Sequence, residues 1–334
     1  MDVVELVIGL LIMVAGFFVA LLGGSLVLGI FQSVRDANLS VAKSQRRMVL
    51  SPLMEIFKQN VKTRSGSTTN SKITRGLILF AWTVSTFTAA LLVPVGTFSI
   101  VPNVFGDFQL FGVFGLLMVY PVGLMLLCFL SSRKSAIYNL KFLSEDFFSS
   151  FITFLLTTLS ITIIYNASFD LVQLPTIQSL VSYQLYFTIP APGLDLPALF
   201  GFLNPLALVA FFASLPIVFD PLKLTDSGVS QKWTPLHDFS GRQLGLVRII
   251  EVLRFYTMIM LFIDVFLGGA SFWNNMLLDF LTIFLASILL ALILASVKTR
   301  RKSWLLDKKI IGFFRVHNII AFIALCTVLV LAMF

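Results

Sequence analysis

Eight long apolar stretches dominate the chain, at residues 3–31, 76–96, 109–131, 147–167, 196–219, 249–269, 274–297 and 311–333. A helix crossing a hydrocarbon core about 30 Å thick needs roughly 20 apolar residues, and each stretch meets that length. Transmembrane strands are shorter and alternate in polarity; none of the eight alternates. Only 12% of the 334 residues are charged, about half the roughly 25% of a soluble domain, and the mean hydropathy is +0.97. The chain is therefore predicted to be an all-α integral membrane protein, a single membrane domain over 1–334 with eight transmembrane helices.

The basic residues orient it. All 24 Lys and Arg fall in, or at helix ends bordering, the odd-numbered loops 32–75, 132–146, 220–248 and 298–310. The even loops, 97–108, 168–195 and 270–273, have none, and neither do the termini. Basic residues mark the cytoplasmic side, so both termini are expected outside, in a multi-pass protein of the cell membrane. The net charge of +8 thus points to anionic lipid or a docked protein, and not to nucleic acid. The first apolar stretch is too long for a cleaved signal peptide and lacks a basic start; it is expected to persist as the first helix.

Within the first inner loop, Val49, Leu50, Leu53, Ile56 and Phe57 recur at helical spacing opposite basic residues. That pattern predicts an amphipathic helix lying in the membrane interface. Residues 63–72 read as a polar tip, and segment 168–195, with three prolines, as a cap on the outer surface. Cys128 and Cys326 both lie in predicted spans, and His237 and His317 stand far apart. An iron–sulfur cluster needs about four thiolates, so no cofactor is expected in this chain. Nucleophile triads and phosphate-binding glycine loops are not found; Gly23-Gly24 and Gly268-Gly269 are expected to permit close helix contact.

Several loop motifs carry a resemblance. In the first inner loop Gln45, Arg47, Pro52, Glu55 and Lys58 keep a characteristic order. In the third, Ser135 is followed by Ser144-Glu145; in the fifth, Leu215-Pro216-Ile217-Val218-Phe219-Asp220 precedes Asp238-Phe239-Ser240-Gly241. With eight spans and outer termini, the chain resembles subunit 1 of respiratory complex I, the bacterial H subunit. Residues 240–255 and the Phe-Leu-Gly-Gly at 266–269 are more similar to the anchor subunit of group 4 membrane-bound nickel–iron hydrogenases and related archaeal complexes. Departures exist: Lys223 and Thr225 stand where that family carries carboxylates, and the first motif lacks its glycine and first-span arginine.

The resemblance implies a non-catalytic membrane anchor that couples an electron-transfer arm to ion translocation. Its implied partners are soluble iron–sulfur and hydrogenase-like subunits and antiporter-like membrane subunits. Iron–sulfur clusters, with a nickel–iron site or quinone, would reside in those partners. Gln45, Arg46, Arg47, Glu55 and Lys58 are the expected docking residues. Glu145, Asp146, Asp220, Asp238 and Glu251 are the expected proton or coupling path. Glu251 sits three residues from both Arg248 and Arg254, on one helix face, which suits either a structural ion pair at the membrane edge or a polar route inward. Asp264 and Asp279 are placed to reach the outer interface. His237 beside Asp238 suits proton shuttling or a bystander role. Within the family the alternative is a quinone-reducing complex; outside it, a secondary transporter, which commonly shows internal repeats not evident here.

Overall fold

A computed structural model describes residues 3–38, 48–61, 72–94, 109–130, 134–169, 174–191, 194–219, 239, 241–270, 273, 275–299, 309–311 and 314–332. Eleven α-helices occur among them: α1 (Val3–Asn38), α2 (Ser51–Val61), α3 (Lys72–Leu92), α4 (Gln109–Phe129), α5 (Lys134–Phe169), α6 (Ile177–Tyr186), α7 (Phe200–Leu203), α8 (Pro205–Phe219), α9 (Arg242–Leu267), α10 (Met276–Thr299) and α11 (Val316–Ala332). Each of the eight apolar stretches falls on one of α1, α3, α4, α5, α8, α9, α10 and α11. Five of these, in α1, α3, α4, α5 and α10, hold segments long and apolar enough to cross a membrane by length and composition alone. This is an all-α membrane protein.

Several helices outrun the apolar run that nucleates them. Both α1 and α5 have 36 residues, about 54 Å at 1.5 Å per residue, well beyond a hydrocarbon core. Residues 134–146, read from the sequence as loop, are therefore the first turns of α5. The bundle is tied pairwise: α1 lies along α9 and α10, α3 against α4, and α5 between α4, α8 and α11. Helix α9 is the central element, buried along nearly its whole length from Val252 to Phe266.

Glycine permits the closest approaches. A Cβ on Gly24 of α1 would lie 2.9 Å from the Tyr256 Cβ on α9, so the glycine pair at 23–24 does admit close packing. Gly268 closes α9 in the left-handed conformation at φ 62°, a backbone shape that Gly adopts without a steric penalty.

The segment expected to cap one end does so by filling it. It forms α6 and an antiparallel hairpin of β1 (Thr188–Ala191) and β2 (Leu194–Pro197). Ile177, Leu180 and Val181 are fully buried. The Gln184 side chain accepts from the backbone N–H of Phe200 and of Gly268 and donates to the Asp264 carbonyl. One buried amide thus satisfies three backbone groups where α6, α7 and the end of α9 converge, groups that would be costly to leave unpaired.

Candidate functional site

At the opposite end of α9 a file of charged and aromatic side chains leads from surface to interior. It begins on α2, which packs along α9. The sequence places five apolar residues on the helix face, yet only Ile56 among them is fully buried; Val49, Leu50 and Phe57 are exposed. The side of α2 turned inward is that of Pro52 and Ile56. Just before α2 the backbone presses against α1, where a Cβ on Gly29 would lie 1.7 Å from the Val49 carbonyl oxygen. No side chain fits there.

This seating brings Glu55 to Arg248, with Oε2 3.4 Å from Nε. Arg248 also donates to Glu251 at 2.6 Å. The other Glu251 oxygen accepts from the Tyr120 hydroxyl of α4 at 3.1 Å. The Arg254 guanidinium lies 4.5 Å from the centre of the Tyr120 ring, within cation–π range. Side-chain exposure falls from 42% at Glu55 through 37% at Arg248 to 24% at Glu251, and Tyr120 and Arg254 are 3% exposed. The gradient decides what each link is worth. The half-exposed outer pair contributes at most about 1 kcal/mol, whereas the inner links carry charge into low dielectric, where interactions strengthen.

Aromatic packing fixes the inner end. Tyr120 leans on Trp82 of α3 at 4.6 Å between ring centres, and Trp82 on Phe239 at 5.8 Å. Gly123 makes room, since a Cβ there would meet the Trp82 Nε1 at 2.1 Å. Pro121, inside α4, has no N–H to give the carbonyl four residues back, so the helical ladder is interrupted beside Tyr120. What the file can do is transmit: a change in charge or position at Glu55 reaches Arg248, Glu251 and Tyr120 through direct contacts.

Asp146 belongs elsewhere. It is buried at the start of α5's apolar run and ion-paired with buried Arg315 at the head of α11. One helical turn on, the Ser149 hydroxyl meets the His317 Nε2 and the Asn318 Oδ1, each at 2.9 Å. Asn318 also donates to the Ser149 carbonyl and the Thr153 hydroxyl, and its Oδ1 accepts from the Arg315 backbone N–H. All of these side chains are buried. The knot ties α5 to α11, as the Glu55–Arg248 pair ties α2 to α9.

The sequence-predicted residues therefore separate. Glu55 and Glu251 meet through Arg248. Lys58 is exposed on α2, and Glu145 is half-buried on α5, one residue before the knot. Gln45, Arg46, Arg47, Asp220 and Asp238, like His237, lie outside the described residues. Tyr120, Arg315, Ser149, His317 and Asn318 were missed. The available signal was weak: Ser149, Thr153 and Thr157 at spacings of four on α5, and a His-Asn pair opening an otherwise apolar helix. Asp264, expected at the outer interface, is instead 1% exposed, because α6 and α7 cover that end of α9. Asp279 does sit at a helix start, accepting from the Trp273 N–H at 3.0 Å.

No family model and no curated protein matches the chain. Among solved structures it is similar to a chain of the membrane-bound sulfane sulfur reductase, an archaeal respiratory membrane complex, with a TM-score of 0.70 over 96% of this chain and 98% of that one. The two share one fold. Their sequence identity is 17%, so the likeness concerns the path of the backbone from end to end.

Proposed function

We propose that this chain is the membrane anchor and coupling subunit of a complex I-like, redox-driven ion pump. The observation that carries the reading is the end-to-end fold likeness to a chain of an archaeal respiratory membrane complex. A stand-alone transporter would have no reason to share that fold along its full length with a component of a multisubunit assembly. In this reading all eight apolar helices span the cell membrane and both termini face outward. The basic loops face the cytoplasm and receive a soluble iron–sulfur arm through the region 45–58. Antiporter-like membrane subunits flank the bundle. The chain itself holds no redox centre and supplies connection: Glu55 on the docking helix, Arg248 and Glu251 at the membrane edge, Tyr120 and Arg254 inside.

Hydrogenase-like, sulfur-reducing and quinone-reducing arms are all compatible with such an anchor. Purification of the native protein, with identification of what comes with it, tests assembly and distinguishes the arms. Iron–sulfur and antiporter-like subunits are expected; recovery of the chain alone from mild detergent would refute the reading. The file is tested by Glu251→Gln, which keeps shape and removes charge. Ion uptake per electron in reconstituted vesicles is expected to fall while electron transfer continues. If Glu251 serves only as an ion-pair partner of Arg248, stability drops and the ratio holds.

A further inference from the structure

The central helix carries a second acid that the file above does not use. Asp264 lies on α9 thirteen residues beyond Glu251, about 20 Å further along the axis. It is 1% exposed, and neither carboxylate oxygen has a hydrogen-bond partner. Its neighbours along α9, Leu261, Ile263, Val265 and Phe266, are all buried, as is Tyr256 two turns back. The Gln184 amide donates to the Asp264 backbone carbonyl, leaving the carboxyl group unserved.

An ionised carboxylate is not tolerated in such a place without a partner; it takes up a proton instead. That end offers no Lys or Arg as a counter-charge among the described residues. Among the described side chains there, the titratable groups are Tyr256 on α9 itself, Tyr183 and Tyr186 on α6, Tyr165 on α5 against Tyr183, and Asp279 on α10. The Tyr183 hydroxyl is bonded to Ser168, and an Asp279 oxygen holds the Trp273 N–H. A metal ion is no better an explanation, because a hard cation takes roughly six or more oxygen ligands. Among the described residues no group of three or more acidic, histidine or cysteine side chains could hold one.

The position of Asp264 on the helix is as telling as its burial. Glu251, Arg254, Thr257 and Asp264 follow one another at spacings of three, three and seven residues, so the line from the inner file to Asp264 winds about 140° around α9. The turn between Thr257 and Asp264 is filled by Leu261, which is fully buried. Ten residues, about 15 Å along the axis, therefore separate Arg254 at the inner end of the file from Asp264, too far for direct proton transfer without water.

We propose that Asp264 is a proton-binding site in the outer half of the membrane domain, a neutral carboxylic acid in the state described here. It exchanges its proton when water enters past Leu261. The exchange is a simple one: the acid releases its proton toward the outer face and the carboxylate accepts another from the inner file. The transport part rests on the pump reading above; the protonation part does not.

Infrared spectroscopy of the purified protein tests protonation directly. The carbonyl stretch of a protonated carboxylic acid is expected in the wild type, lost in Asp264→Asn, and retained at a displaced frequency in Asp264→Glu. In D2O the wild-type band should shift as the proton exchanges. A spectrum unchanged by Asp264→Asn would mean that the group is ionised and would overturn the proposal, as would a band that never shifts in D2O. In vesicles carrying the whole complex, Asp264→Asn should abolish ion uptake per electron while electron transfer persists, and Asp264→Glu should restore it. An unchanged ratio in Asp264→Asn overturns the transport role. If the wild type itself moves no ions, the pump reading fails, and the infrared result still decides whether Asp264 holds an exchangeable proton.

Discussion

The Asp146–Arg315 pair offers the sharpest test of how buried charge is used in this bundle. Its two side chains are 4% and 2% exposed, so solvent screens the pair little. Removing one member strands the other as an uncompensated buried charge, at a cost of about 3–5 kcal/mol. At about 1.4 kcal/mol per tenfold change, Asp146→Leu or Arg315→Met alone should shift the unfolding equilibrium on the order of a hundredfold or more. The double variant removes the desolvation penalty together with the attraction and should be near wild type, within about 1–2 kcal/mol. Denaturant titration in mixed micelles, read as a double-mutant cycle, should thus give a coupling of at least about 4 kcal/mol in magnitude. Additivity within about 0.5 kcal/mol would refute the reasoning, since residues in contact and shielded from solvent cannot behave independently. The same double variant decides the role of Asp146. As a tether between α5 and α11 it is dispensable once both charges are gone, and ion uptake per electron holds. As a member of the proton path it is not, and a stable double variant would pump less.

Cysteine labelling in intact cells should place residues 63–72 and 298–310 inside and residue 334 outside; labelling residue 334 from the inside would break the eight-span reading. Charge reversal at both Arg46 and Arg47 should release the soluble arm while the chain stays in the membrane, since rim charges at a docking surface act chiefly on association. Recovery of an intact complex from that variant would remove those residues from the docking surface. Glu145→Gln should lower ion uptake per electron if Glu145 belongs to the coupling path, and an unchanged ratio would exclude it.

The helices were legible in the sequence because a bilayer imposes one length and one polarity, and all eight apolar stretches became helices. Their ends were not legible. Composition reports where a helix must be apolar, whereas α5 continues from 147 back to Lys134 through residues polar enough to read as loop. The amphipathic pattern of α2 located a real helix, and of its apolar residues Ile56 is turned into the protein while Val49, Leu50 and Phe57 stay exposed on its surface. A helix seated on protein also chooses an inner face by fit, here that of Pro52 and Ile56, which the pattern of apolar residues alone does not single out.

Site residues divide along the same line. Arg248 and Glu251 were paired from sequence because helix geometry alone brings positions three apart together. Tyr120, 131 residues away from Glu251, could be found only by folding, and so could the partners of Asp146. The sharpest contrast lies between two buried acids, Asp146, which follows Lys141, Ser144 and Glu145, and Asp264, which lies among Leu261, Phe262, Val265 and Phe266. Asp146 meets an arginine delivered by α11, whereas neither carboxylate oxygen of Asp264 has a hydrogen-bond partner. Identical side chains at comparable depth therefore hold opposite charge states, one an ionised partner and the other a neutral acid. A structural tether is built from the first kind, because each buried charge is compensated by the other. A site that loads and unloads a proton is built from the second, because only the arrival of water or charge decides its state.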